Sequence, residues 1–229
     1  MNAGIRELLY PFGFMASFFF ALRFFVQWFL SEKKGKSHVT EIFWKLSIIG
    51  SSIFMLHGFI QVQAHLSLIQ ACNIVISWRN LNIMSDKKEP SPLSKVFVIF
   101  GIAITAVIAV FIAQGLFSGG GISWIRRPQT PWNYGSDVNL IWHVIGSCGM
   151  AIFASRFWIQ WWNAERANKS ALNISFWYLS LSGAVLAVAY FVALGDIINI
   201  LGYSIGIAPY LRNLILLKKE KAGIGYVNE

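Results

Sequence analysis

Runs of about twenty residues with almost no charge decide what this chain can fold into. Pro11–Leu30 carries one charge, Arg23; Ile42–Val62 carries one, Lys45; Val96–Phe117 carries none. Hydrocarbon offers the backbone no hydrogen-bonding partner, so such a run crosses a bilayer as a helix of roughly 20 residues. Composition agrees, with 56% hydrophobic and 13% charged residues; a soluble domain has about 45–50% apolar and about 25% charged. The first run shows no small-residue cleavage site, so it reads as a retained helix and not a signal peptide.

Seven spans are expected, near 9–30, 42–62, 64–83, 96–117, 138–162, 175–194 and 197–217. The basic residues of the connections sort by side. Lys33, Lys34, Lys36, Lys87, Lys88, Lys95, Arg166, Lys169, Lys218, Lys219 and Lys221 fall on one side; Arg6, Arg126 and Arg127 fall on the other. The positive-inside bias then puts the N-terminus outside and the C-terminus in the cytoplasm. The net charge of +9 is thereby an orientation signal, and no nucleic-acid partner is expected. Cys72 and Cys148 fall inside expected helices, which argues against a disulfide framework.

The chain also repeats itself. RFFVQWFLSEKKGKS starts at Arg23 and RFWIQWWNAERANKS starts 133 residues later, at Arg156. The same gapless offset matches Gln27 with Gln160, Trp28 with Trp161, Glu32 with Glu165, Ser37 with Ser170 and Arg79-Asn80-Leu81 with Arg212-Asn213-Leu214. Apolar composition alone does not align Arg, Gln, Glu and Asn, so this is an internal duplication. Three helices per repeat leave the chain on the opposite face, and one further crossing restores the orientation for the second copy. The expected fold is therefore all-α, a polytopic membrane protein of seven transmembrane helices in a 3+1+3 plan of parallel repeats, as in the SWEET transporters. Its parts are a first repeat at 9–83, a linking helix at 96–117 and a second repeat at 138–217.

Intramembrane charge is costly, about 2.5–3.5 kcal/mol for an Arg at a helix centre on insertion scales. Arg23, Arg79, Arg156 and Arg212 are expected in the cytoplasmic half, a turn or two from the inner surface. Gln27 and Gln160 share a helix face with Arg23 and Arg156; Asn80 and Asn213 adjoin the other two. Glu32 and Glu165 are the expected carboxylate partners. Two readings stay open: the arginines snorkel or pair to fix packing, or a surplus of guanidinium over carboxylate binds a phosphate head group through the bidentate Arg fork.

A second polar set breaks the symmetry. His57, Gln61, Gln70 and Asn73 align with Tyr190, Leu194, Tyr203 and Gly206, so the first repeat is richer in hydrogen-bonding groups, for lining a sugar-sized cavity or for holding helices together. Asn139 and His143 are further candidates. Pro209 should kink the last span just before Arg212. Trp28, Trp44, Trp161, Trp162 and Trp177 are expected in a cytoplasmic aromatic belt. The 118–137 connection, with Arg126-Arg127, reads as an interfacial loop or outer lid. No P-loop, dinucleotide fingerprint, HExxH, CxxC or GxSxG is present, so no cofactor, metal site or catalytic residue is expected. For an intramembrane acid or base, His57, His143 and Asp196 are the thin candidates.

At RFxxQWxxxE…KS followed by RNL, the chain resembles the lipid A biosynthesis N-terminal domain family, a membrane module named for its fusion to some lipid-A-disaccharide synthases. The resemblance covers both repeats, roughly 20–82 and 153–215, and is related to the SWEET and PQ-loop group; the Pro128-Gln129 pair lies in a loop, not in a first helix. It implies a bacterial inner-membrane protein whose partners are membrane lipids, an anionic lipid or lipid-linked sugar, and a glycosyltransferase. The catalytic glycosyltransferase part expected from the family label is not seen in this chain. The leading expectation is a transporter or flippase-like protein for a polyprenyl-phosphate sugar. The alternatives are a non-transporting subunit presenting lipid to a separate glycosyltransferase, and a SWEET-like carrier of neutral sugar.

Overall fold

The computed structural model describes residues 3–85, 89–117, 124, 138–195 and 197–221. Those residues are helical, without a β-strand: α1 (Ala3–Leu8), α2 (Phe12–Lys34), α3 (Glu41–Gln61), α4 (Ala64–Met84), α5 (Leu93–Phe117), α6 (Leu140–Ala167), α7 (Ile174–Leu194), α8 (Ile197–Ser204) and α9 (Ile207–Lys221). Arg126, Arg127, Pro128, Gln129 and Asp196 lie outside the described residues, as does the 118–137 connection apart from Trp124.

Six stretches among them are long and apolar enough to cross a membrane, not the expected seven: Gly4–Lys34, Glu41–Gln61, Leu93–Phe117, Leu140–Ala167, Ile174–Leu194 and Asn199–Glu220. The remaining helix, α4, has the length at 21 residues. It is diluted by Ser67, Gln70, Asn73, Ser77, Arg79, Asn80 and Asn82. Large apolar side chains such as Phe29, Ile102 and Leu201 stand exposed on the helices, as lipid-facing residues do. The chain is a membrane protein.

Local chemistry sets the breaks, and the two copies break alike. Pro11 has no N–H to continue α1, so the chain turns at residues 9–11 and α2 starts at Phe12. Gly35 closes α2 in the left-handed conformation (φ 61°), and Asn168, its aligned residue, closes α6 the same way (φ 45°). Gly and Asn are the residues that tolerate this geometry. Gly195 closes α7 at φ 72°, and its aligned residue is Val62 at φ 58°, a β-branched side chain in a backbone region that disfavours it.

The last expected span is not one helix. It breaks at Ile205–Gly206, and Pro209 then sits in the first turn of α9, where its missing N–H costs nothing. The break therefore falls a turn earlier than the kink expected at Pro209 itself.

By internal contacts the chain divides into two compact units, Met1–Phe20 with Trp44–Asn133 and Ala21–Phe43 with Tyr134–Glu229. In the first, α4 packs on α5, and Val62, Ala64, Ala71, Val107 and Phe111 form a buried cluster with Met55, Phe59, Leu68 and Ala103 against it. In the second, α7 packs on α6, α8 and α9. Gly183 of α7 lies so close to α6 that a Cβ there would meet the Phe153 nitrogen at 2.7 Å and the Gly149 carbonyl oxygen at 2.9 Å.

Trp44 and Trp177 correct the aromatic-belt reading, since both are completely buried. Trp177 donates its indole N–H to the Leu172 carbonyl at 3.2 Å and meets Phe176 edge-on. Trp162 is exposed. Cys72 and Cys148 are both free thiols.

Candidate functional site

The second unit collects most of the repeated polar phrase. On α2, Arg23, Gln27 and Ser31 follow at four-residue intervals, so they share a face. All three are buried. They form successive layers against α6 and α9.

In the deepest layer, Arg23 of α2 and Arg156 of α6 are each 4% exposed. Their guanidinium carbons both lie 5.0 Å from the centroid of Phe157 and 4.9 and 5.8 Å from that of Phe24. Phe43 adds a ring at 5.3 Å from Arg23, and Phe153 one at 3.3 Å from Arg156. The charge that acts on Arg23 from nearby is Arg156 itself, with Tyr210 as the other group. Tyr210 and Tyr203 face Arg156, and Tyr210 is its hydrogen-bonding neighbour. The Arg156 Nε and Nη1 atoms are buried with no hydrogen-bond partner.

The helix break explains how Tyr210 reaches this place. A Cβ at Gly206 would come within 2.2 Å of Tyr210 Cζ and Oη, so the ring occupies this place because the residue one helical turn earlier has no side chain. The first repeat has Asn73 at the aligned position.

The middle layer is fully satisfied. Gln27 Nε2 donates to Asn213 Oδ1 at 2.8 Å, and Asn213 Nδ2 returns a bond to Gln27 Oε1 at 3.1 Å. Asn213 Nδ2 also reaches the Pro209 carbonyl at 2.9 Å, and its Oδ1 accepts from Ser37 Oγ at 3.1 Å. Ser31 Oγ accepts from Gln27 Nε2 at 2.8 Å and from the His38 amide at 2.9 Å, and donates to the His38 carbonyl.

The outer layer is charged and about one-third exposed. Arg212 binds Glu32 through two nitrogens of one guanidinium edge, Nε to Oε1 and Nη2 to Oε2, the latter at 2.7 Å. Trp28 Nε1 donates to the same carboxylate at 3.0 Å. The second copy keeps the local bond, with Trp161 Nε1 to Glu165 Oε1 at 2.7 Å. Just outside the helices, the His38 ring nitrogen lies 2.8 Å from Lys34 Nζ. Burial first, then Lys34, Lys36 and Lys169, hold its pKa below the usual histidine value.

Two helices end later than expected. α2 and α6 run on to Lys34 and Ala167, past the ends expected at residues 30 and 162. Arg23 and Arg156 therefore lie about three turns, roughly 16 Å, from those helix ends. The helices extend because SEKK and NAERA are good helix formers although they are polar.

The other candidates are engaged within the protein. Gln160 Nε2 donates to the Ala171 carbonyl at 3.3 Å. In the first unit, Arg79 Nη1 donates to Asn82 Oδ1 at 2.9 Å and to the Ser91 carbonyl at 2.6 Å, tying α4 to the start of α5. Asn80 Nδ2 bonds the Ile76 carbonyl at 2.9 Å, as Asn213 bonds Pro209. Gln61 Nε2 donates to the Arg6 carbonyl at 2.8 Å, and Asn73 Nδ2 donates to Gln70 Oε1 at 3.3 Å. His57 is buried between Tyr10, 5.4 Å away, and Phe54, 5.9 Å away, with Nδ1 lacking a hydrogen-bond partner. Asn139 caps α6 by accepting from the Ile141 amide, and His143 Nδ1 lies 2.9 Å from the Tyr190 hydroxyl. Among the described residues, no group of three His, Cys, Asp or Glu side chains could hold a metal.

Sequence reasoning missed Tyr203 and Tyr210 as neighbours of Arg156, and Ser31 and His38 as the groups that complete the bonding of Gln27. Ser31 could have been found from its spacing to Arg23 and Gln27; Tyr210 could not, because its placement depends on the break at Gly206.

The fold and this site define an all-helical membrane protein with a duplicated helical unit that buries arginines among aromatic rings. The Lipid A Biosynthesis N-terminal domain model matches it twice, at residues 12–82 and 145–215, at the same offset as the repeat. The chain belongs to that family. It is 40% identical over 212 residues to a lipid-A-disaccharide synthase of Chlamydia muridarum, covering 93% of this chain and 34% of the relative. It is 36% identical over 226 residues to one of Chlamydia pneumoniae, covering 99% and 36%. The chain thus spans about a third of the length of these curated relatives. No solved structure matches it. The relatives place the chain among lipid A biosynthesis-related membrane proteins.

Proposed function

We propose that this protein is an inner-membrane transporter of the flippase kind, moving a phosphate-bearing lipid-linked sugar used in lipid A or envelope glycolipid modification. The observation that carries this reading is the buried pair Arg23 and Arg156, grouped around Phe157, with Arg156 Nε and Nη1 lacking an acceptor. Removing an ion from water costs several kcal/mol even after relaxation, whereas a desolvated cation–π contact returns about 2 kcal/mol. The rings and the Tyr210 hydroxyl leave Arg156 Nε and Nη1 without an acceptor, and a phosphate would supply one. Gln27 and Asn213, with Arg212 and Glu32, form the cytoplasmic seal under that site, and the C-terminus lies in the cytoplasm. Two parallel repeats rocking about the site would carry the head group across.

The test is translocation of a fluorescent polyprenyl-phosphate sugar in liposomes holding the purified protein. Flux lost in an Arg156→Gln variant that stays folded supports the reading; equal flux in both sinks it. A second reading, a non-transporting subunit that presents lipid to a separate glycosyltransferase, is favoured by the relatives. They are named as synthases and are about three times as long as this chain. It calls for a stable complex with that enzyme and no flux.

A further inference from the structure

We propose that Lys34, Lys36 and Lys169, gathered round His38, form a surface site for the phosphate head group of an anionic membrane lipid. The site is separate from Arg23 and Arg156 and does not depend on their holding a ligand. The duplication builds it. Gly35 ends α2 and the aligned Asn168 ends α6, both in the left-handed conformation (φ 61° and 45°). Each is followed by a lysine, Lys36 and Lys169. Both lysines act on one ring, His38, together with Lys34 from the last turn of α2. The residue aligned with His38 is Ala171, so the ring occurs once and the two copies serve it jointly.

The chemistry is that of an anion site. All three lysines are exposed. Among the described residues, the charged groups that act on His38 are these three lysines and no carboxylate. Glu32, further up α2, is engaged by Arg212 and Trp28. Lys34 Nζ lies 2.8 Å from His38 Nε2. An ammonium only donates, so Nε2 accepts and the ring proton sits on Nδ1, as a further donor. Three like charges around a neutral ring repel one another, and a phosphate among them accepts charge-assisted bonds instead. A lysine in a last helical turn also answers the carbonyl dipole. That accounts for Lys34 but not for Lys36 and Lys169, which follow the left-handed residues.

Depth names the occupant. The apolar run of α2 ends at Leu30, one turn before Lys34, and Trp162 stands exposed near the end of α6. Lysines that follow apolar and aromatic side chains at once lie at head-group level, where anionic lipid meets them. The turn is also tied inward. The His38 amide donates to Ser31 Oγ, which accepts from Gln27, so a lipid held here steadies the Gln27–Asn213 layer.

The test is an NMR titration of the four histidines in the whole chain, carried in neutral detergent micelles, with the His38 signal assigned by its loss in His38→Asn. Burial and the three lysines hold His38 below the usual histidine value; an anion among the lysines favours the charged ring and moves it back up. Phosphatidylglycerol in the micelle should raise the His38 midpoint by about 1 pH unit relative to phosphatidylcholine. Inorganic phosphate at the same concentration should leave it in place. His65, exposed just past the far end of α3, reports the general charge of the micelle surface and should move clearly less. The Lys36→Gln/Lys169→Gln double variant should lose most of the rise. No rise, an equal rise at His65, an undiminished rise in the double variant, or the same rise with inorganic phosphate would each overturn the proposal.

Discussion

Gln27 and Asn213, 186 residues apart, exchange two side-chain amide hydrogen bonds at 2.8 and 3.1 Å in a completely buried place. The first helix of one copy thereby meets the third helix of the other, directly below Arg23 on α2.

That pairing should be visible in a double-mutant cycle. Asn213→Leu strands the Gln27 amide, and an unsatisfied buried polar group costs about 1–3 kcal/mol. Gln27→Leu alone should cost a similar amount. The double Leu variant should lose less than the sum, with a coupling of about 1 kcal/mol, measured by unfolding in mixed micelles. Strict additivity would show that the pair is not formed.

The Glu32–Arg212 ion pair should behave differently. Both side chains are about one-third exposed, so Glu32→Gln should cost under about 1 kcal/mol of stability. The loss should shrink further as salt is raised. If the pair seals the cytoplasmic side, the same variant should speed liposome exchange while leaving the melting temperature nearly unchanged.

These contacts also show what could be read ahead of the structure. The apolar runs mark the helices, and the 133-residue offset marks the duplication, because both are patterns within short stretches of chain. Arg23 and Gln27 were recognisable as one face from their four-residue spacing. Which arginine takes Glu32 was not, since Arg212 lies 180 residues away and nothing local distinguishes it from Arg23. The extra turns of α2 and α6 were missed because apolar patterning stops before helix propensity does. Trp44 and Trp177 were misread because a tryptophan near a helix end is a belt residue or a core residue according to its neighbours.

The aligned positions Val62 and Gly195 give a backbone test. Both have positive φ, and Val62 carries a Cβ there, a strain of about 1–3 kcal/mol. Val62→Gly loses a buried side chain worth about 1.5–3 kcal/mol but relieves the strain. Its stability should stay within about 1 kcal/mol of wild type. Gly195→Val has open space around it and should still cost about 1–3 kcal/mol, by thermal unfolding of the two variants side by side.

Gly183 and its aligned residue Gly50 should respond unequally to alanine. The added methyl at Gly183 meets α6 backbone, which cannot step aside, whereas at Gly50 it meets the Phe20 ring at 2.6 Å, which can turn. Gly183→Ala should cost about 1–3 kcal/mol by overpacking, and Gly50→Ala clearly less. The reverse order in thermal unfolding would contradict the packing described for α6 and α7.

His38 gives the pH dependence. Its pKa in the fold is lowered by burial and by Lys34, Lys36 and Lys169, so the unfolded chain binds the proton more tightly. Stability from this group is full above the ordinary histidine value, near pH 6.5, and is lost as pH falls below it. Wild type should lose more melting temperature between pH 7 and pH 5 than His38→Asn does; identical losses would show that the ring is not held neutral.

The central claim is that Arg23 and Arg156 are buried to hold a phosphate-bearing lipid. The most direct measurement is native mass spectrometry of gently extracted protein, wild type beside the Arg23→Ala/Arg156→Ala double variant, with circular dichroism confirming helix content in both. The expected result is a co-purifying phospholipid or lipid-linked sugar on the wild type, absent from the variant. No retained lipid on the wild type, or the same lipid on both, would contradict the claim and return the two arginines to packing.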